Sequence, residues 1–142
     1  MRILGIDFGD RTIGLAISDK LLIAAHALEN YRLTTDEEDM KYFKALVAQY
    51  DIGEIVVGLP LRMNGSLGIQ AEKTKEFVCR LEKVFNVPII LWDERLTTQQ
   101  ALKILHEQKA KGKTKKKLKD QVSAAIILSS YLESRRSKSH GP

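Results

Sequence analysis

The stretch Arg2-Ile3-Leu4-Gly5-Ile6-Asp7-Phe8-Gly9 decides the fold. A short apolar run closed by glycine suits a buried strand, but this one carries a carboxylate. Left unpaired in apolar surroundings a carboxylate is costly. Asp7 therefore either ends the strand and points into water or needs a partner, such as a metal ion. Asp10-Arg11-Thr12 joins the run to a second one, Ile13-Gly14-Leu15-Ala16-Ile17-Ser18-Asp19. The pair reads as a hairpin, with Gly9 supplying a positive φ.

Working outward, residues 21–28 are apolar enough for a third strand, extending toward Tyr31, and short turns make the three an antiparallel meander. Thr35-Asp36-Glu37-Glu38 has the spacing of a capping box, and Met40, Phe43, Leu46, Val47 and Tyr50 follow at helical intervals. The β-branched run Glu54-Ile55-Val56-Val57-Gly58-Leu59-Pro60 reads as a strand buried on both faces and parallel to a neighbour. A loop with turn chemistry at Asn64-Gly65 leads to a helix patterned by Ala71, Thr74, Phe77, Val78, Leu81 and Val84. Pro88-Ile89-Ile90-Leu91-Trp92 is a fifth strand, with its proline at the tolerated first position. Thr97-Thr98-Gln99-Gln100 caps a further helix, and a last helix runs from near Leu118 to about Glu133. The expectation is an α/β fold in which a five-stranded mixed sheet, three antiparallel strands followed by parallel crossovers, is flanked by helices.

With 142 residues and 44% hydrophobic content, the chain has material for one domain with a substantial core, expected over residues 1–134 with a basic, frayed tail at 135–142. No apolar run approaches the roughly 18 residues of a membrane span. No secretory signal pattern precedes the first strand, and the lone Cys79 cannot form an internal disulfide, so the cytoplasm is the expected compartment and a buried thiol the expected state. The net charge of +5 is local: seven lysines and no acids lie between Lys109 and Lys119, leaving 16 basic against 18 acidic residues elsewhere. This segment and the Arg135, Arg136, Lys138 group look like a phosphate-backbone footprint, or like solvated loops that aid solubility.

Three acids can share a pocket. In open α/β sheets the functional crevice lies at the carboxyl ends of the strands. Asp7 is near the end of the first strand, Glu94 is just past the fifth with Asp93 as its competitor, and Asp120 is in the first turn of the last helix. The small Ser123, Ala124 and Ala125 let that helix approach closely. Convergent carboxylates without a His or Cys cluster point to Mg²⁺ or Mn²⁺, which activates water and stabilises the leaving oxygen in phosphodiester cleavage. Arg11 and Arg95 flank the acids and could bind the scissile phosphate or simply neutralise them, and Lys113, Lys115, Lys116, Lys117 and Lys119 could hold the polyanion. His26, His106 and His140 share no ligand spacing, and Trp92 reads as core packing rather than a stacking platform.

Four blocks resemble the YqgF/RuvX family: residues 5–19, Val57-Gly58-Leu59-Pro60 with Asn64-Gly65-Ser66, Asp93-Glu94-Arg95-Leu96-Thr97-Thr98, and Lys119-Asp120 with Ala124-Ala125. They occur in family order across nearly the whole chain. The resemblance implies an RNase H-like fold and a metal-dependent nuclease that processes the 5′ end of pre-16S rRNA in ribosome biogenesis, with Holliday-junction resolvase as the older description. It also implies Asp7, Glu94 and Asp120 as the catalytic and metal-binding triad. Arg62 and Asn64 depart from the Asn and Asp expected there in many members, which bears on substrate contacts. The expected partner is RNA, with branched DNA as the alternative and a monomer or homodimer both open. Rival readings are a non-catalytic RNA-binding assembly factor and an ATP-binding phosphotransferase half; the latter needs two such domains.

Overall fold

In the computed structural model, the described residues are 1–96, 103, 106, 107 and 123–139. Two strands, β1 (Arg2–Phe8) and β2 (Thr12–Ser18), form the expected hairpin, in register from Leu4 opposite Ile17 to Phe8 opposite Ile13. Gly9 makes the turn possible in a different way from that expected. Among the described residues the only glycine with positive φ is Gly65, whereas a Cβ on Gly9 would come within 2.6 Å of the Thr12 carbonyl oxygen.

The third strand is broken into β3 (Ala25–Ala27) and β4 (Tyr31–Arg32), both paired with β2, so the described sheet has six strands rather than five. The start of β3 is held back to Ala25 by Asp19, whose Oδ1 accepts from the backbone N–H of Ile23 at 2.7 Å and of Ala24 at 3.2 Å. That local bonding competes with a strand ladder, and Leu21 and Ile23 are left exposed.

Helix α1 (Asp36–Gln49) starts at the Thr35 cap, whose hydroxyl accepts from the Glu38 N–H. It leads into β5 (Ile52–Leu59), which pairs parallel to β1. Helix α2 (Ile69–Val84) then crosses to β6 (Ile89–Asp93), parallel to β5. Along the sheet the order is β3-β2-β1-β5-β6. Alternation along β1 separates two cores. Leu4 and Ile6 join Phe43, Leu46, Phe77, Val78 and Leu81 beneath α1 and α2. Ile3 joins Ala16, Val56, Ala124, Ile127, Leu128 and Leu132 beneath the last described helix, α3 (Ser123–Ser139).

Two observations concern α3. It continues past the expected limit at Ser134, and Arg136 donates to the Ile23 carbonyl at 2.9 Å, so this arginine is helical and tied down rather than frayed. It also lies unusually close to β1. A Cβ on Gly5 would stand 2.8 Å from Leu128 Cβ and 3.2 Å from the Ala124 carbonyl oxygen. The small residues at 124 and 125 permit that approach from the helix side, and Gly5 permits it from the sheet side.

Cys79 is exposed on α2, contrary to the expected buried thiol. Its neighbours Phe77 and Val78 take the inward positions of the helical period. No helix among the described residues is long and apolar enough to cross a membrane.

The Gly5 contact makes a direct prediction. Gly5→Ala should lower stability by about 1–3 kcal/mol through overpacking, read as a lower urea midpoint with unchanged slope. An unaltered midpoint would show that α3 can shift away without loss.

Candidate active site

Asp7 lies on β1 on the same face as Ile3 and Gly5, turned toward α3, and it is half-buried at the carboxyl end of the strand. Glu94 arrives from the far side of β5. Its backbone N–H donates to the Leu59 carbonyl at 3.2 Å, extending the β5–β6 pairing by one residue. The side chain then lies across β5 at Gly58. A Cβ there would be 3.0 Å from both Cγ and Oε1 of Glu94 and would strike Ile127 Cδ1. The missing side chain is what lets Glu94 cross β5 and hydrogen-bond with the Asp7 carboxyl.

Two carboxyl groups in contact cannot both be charged without a shared proton or a cation between them. Burial pushes the Glu94 carboxyl up from its ordinary range, the hydrogen bond with Asp7 offsets part of this, and the charge of Asp93 adds to the rise. These are the properties of a cation site: hard oxygen donors, partly desolvated, with unfavourable mutual charge. Among the described residues no group of three His, Cys, Asp or Glu side chains could hold a metal ion. Asp7 and Glu94 are the two acids of the expected triad that the described residues bring together, and the third, Asp120, lies outside the described residues.

Asp93 does not compete for the pocket. Its Oδ2 accepts from Arg95 Nη2 at 2.7 Å and its Oδ1 from Arg95 Nε at 3.0 Å. That guanidinium holds the Asp93 carboxyl below the usual carboxylate range. Arg95 is thus committed to Asp93, and it also donates to the Met63 carbonyl at 3.2 Å. Arg11 is exposed in the β1–β2 turn, at the same end of the sheet as Asp7. The neighbouring Asp10 pairs with Lys73 of α2 at 3.3 Å. Lys113, Lys115, Lys116, Lys117 and Lys119 lie outside the described residues.

Of the other residues singled out in the sequence, His26 is exposed on β3. Trp92 packs edge-on against Tyr131, ring centres 5.4 Å apart. Tyr131 donates to Glu54 at 2.5 Å, and burial with that carboxylate pushes its hydroxyl up to about 12. Arg135 lies 4.0 Å from the same Glu54. Both are at the amino end of β5, away from Gly58. The residue that sequence reasoning missed is Gly58, taken there as part of a strand terminator. Its signal was available, since a glycine inside a β-branched strand marks close approach by another group.

Comparison with known proteins agrees with this geometry. The RuvX family profile, described as Holliday junction resolvase, matches residues 1–134. A protein of Halothermothrix orenii, named "Putative pre-16S rRNA nuclease", is 46% identical over 141 residues, covering 99% of this chain and 100% of the relative. One of Geobacillus kaustophilus with the same name is 41% identical over 138 residues, covering 96% and 100%. In three dimensions the chain is similar to Thermus thermophilus RuvC in complex with a Holliday junction substrate, with TM-score 0.60, 13% identity and 96% of each chain covered. It is also similar to fowlpox virus resolvase in complex with Holliday junction DNA, with TM-score 0.55, 15% identity, and 95% and 99% covered. These likenesses bear out the RNase H-like fold.

The raised Glu94 carboxyl has a consequence for stability in metal-free buffer. The folded chain holds this proton more tightly than the unfolded chain, whose value is near ~4.3. Stability is therefore lost as pH rises from there through the folded value. Glu94→Gln should abolish that loss and be the more stable form at neutral pH in EDTA, measured by urea unfolding between pH 4 and 7. Parallel pH profiles for the two proteins would contradict it.

Proposed function

Because the chain belongs to the RuvX family, we propose that it is a divalent-metal-dependent endonuclease of the cytoplasm that processes the 5′ end of pre-16S rRNA in ribosome biogenesis. The observation that carries this reading is the meeting of Asp7 and Glu94 over Gly58 at the carboxyl end of the sheet. Asp120, three residues before the start of α3 at Ser123, is assigned as the third acid of the site. Oxygen-only donors suit Mg²⁺ or Mn²⁺. Such a cation, once bound, polarises a phosphate oxygen and makes water a better nucleophile. The chain's own contribution is to fix the acids before the substrate arrives: β1 sets Asp7, and the extended β5–β6 pairing sets Glu94.

Residues 1–134 are taken as the single nuclease domain and 135–142 as its basic extension. Arg11, with Lys113, Lys115, Lys116, Lys117 and Lys119, is assigned to substrate phosphates. Arg95 serves at the same edge while anchored on Asp93. The names of the two relatives at 41% and 46% identity favour RNA as the substrate. The family's description and the likeness to junction-bound resolvases favour four-way DNA junctions as a second reading. Symmetric junction cleavage would further require two copies of the chain.

Incubation of the purified protein with a 5′-extended 16S precursor and with a four-way junction, at equal salt, separates the two. Mature-length RNA should accumulate, EDTA should stop the reaction, and Asp7→Asn or Glu94→Gln should each slow it by at least about 100-fold. Cleavage that survives EDTA or either substitution refutes the mechanism. No cleavage with any divalent ion, with RNA still bound, would identify a binding factor instead. In the same preparation, alanine at Lys115, Lys116 and Lys117 should flatten the slope of log affinity against log salt by about two to three. An unchanged slope would remove these lysines from the phosphate footprint.

A further inference from the structure

The loop between β5 and α2 is built as a rigid hairpin that presents an apolar side chain to water. Leu61 and Leu67 form an isolated antiparallel bridge. Within it, Gly65 N–H donates to the Arg62 carbonyl at 2.8 Å and Arg62 N–H to the Ser66 carbonyl at 3.0 Å. Asn64 Oδ1 accepts from both the backbone N–H and the hydroxyl of Ser66, at 3.0 and 2.7 Å. Gly65 takes φ 85°, which its lack of a side chain allows. Arg95, held on Asp93, donates to the Met63 carbonyl and pins the tip beside the strand end that carries Glu94. These contacts fix the backbone around Met63, yet the residue is 93% exposed.

Exposed apolar side chains are not spread evenly. Ile69 at 73%, Leu96 at 49% and Leu67 at 42% share this end of the sheet with Met63. The other exposed large apolar residues among those described, Met1, Leu21 and Ile23, belong to the opposite end. An apolar group ordered at this cost in exposure, with Arg62 and Arg95 in the same unit, does not match a phosphate. It matches the face of a base. A thioether is polarisable and packs well on aromatic rings, and methionine is one of the side chains that wedge against bases.

We propose that the hairpin at residues 61–68 seats an unpaired base of the bound strand against Met63, at the sheet end that carries Asp7 and Glu94. This rests on the reading above only in taking the substrate to be nucleic acid. It gives the site a preference for strands whose bases are free to leave the stack, as at a single-stranded extension beside a helix. A thioether packed on one aromatic ring is a modest contact, so the preference should be at most about tenfold.

The test is fluorescence anisotropy in EDTA, at fixed salt, with a labelled RNA duplex bearing a short unpaired 5′ extension and with the same duplex blunt-ended. The native protein should prefer the extended RNA. Met63→Ala should lose up to about tenfold affinity for it and none for the blunt duplex, and Met63→Tyr should restore the preference. Equal binding of both RNAs by the native protein, an equal effect of Met63→Ala on both, or Met63→Tyr behaving like the alanine variant would each overturn the proposal. The readout needs no cleavage, so an absence of nuclease activity would defeat the proposed function and leave this result standing.

Discussion

The structure depends on how deeply α3 settles onto the central strands. Backbone comes close to helix where β1 and β5 lack side chains, at Gly5 beneath Ala124 and Leu128, and at Gly58 beneath Ile127. Side chains at either position would hold the helix off by more than the neighbouring packing could absorb, because protein interiors contain few voids to collapse into. The same glycine that admits Ile127 also admits Glu94. Helix seating and assembly of the acidic pair are therefore one steric event.

That event places charge where the core would not otherwise tolerate it. The opposite face of the sheet is an ordinary apolar core of Leu4, Ile6, Phe43, Phe77 and Leu81. Asp39 shows how the chain handles a buried acid that has no catalytic task. Its Oδ1 accepts from the Tyr31 hydroxyl, the Thr34 N–H and the Thr34 hydroxyl. Glu94 has a second carboxyl as its neighbour instead, and its burial is only partly offset. The contrast separates a carboxylate satisfied by hydroxyl and backbone donors from one set beside a second acid.

Much of this was legible in the sequence because periodicity reports burial directly. The apolar runs of β1 and β2 and the inward stripe of α2 are read this way, the Thr35 cap comes from its spacing, and the strand at 54–60 is expected to run parallel to a neighbour, which is β1. What escaped were effects between residues remote in sequence. Glu94 follows β6 and Asp7 lies near the end of β1, with β5 lying between them, and reach comes from the gap at Gly58. The late start of β3 at Ala25 escaped because apolar composition at 21–28 says nothing of the hydrogen bonds that Asp19 offers. Asp93 and Glu94 are equivalent as letters; only the guanidinium of Arg95 tells them apart.

The order in which these parts leave the ribosome follows from the position of α3. Its partners Ile3, Ala16 and Val56 are made well before Ala124 to Leu132. A nascent chain can pair β1 with β2 and close the α1 and α2 face long before α3 exists, but its other face stays bare until then. Such late, long-range docking slows folding and leaves apolar surface open during synthesis. It also means that a chain still being translated lacks the wall of its acidic pocket until α3 has been made.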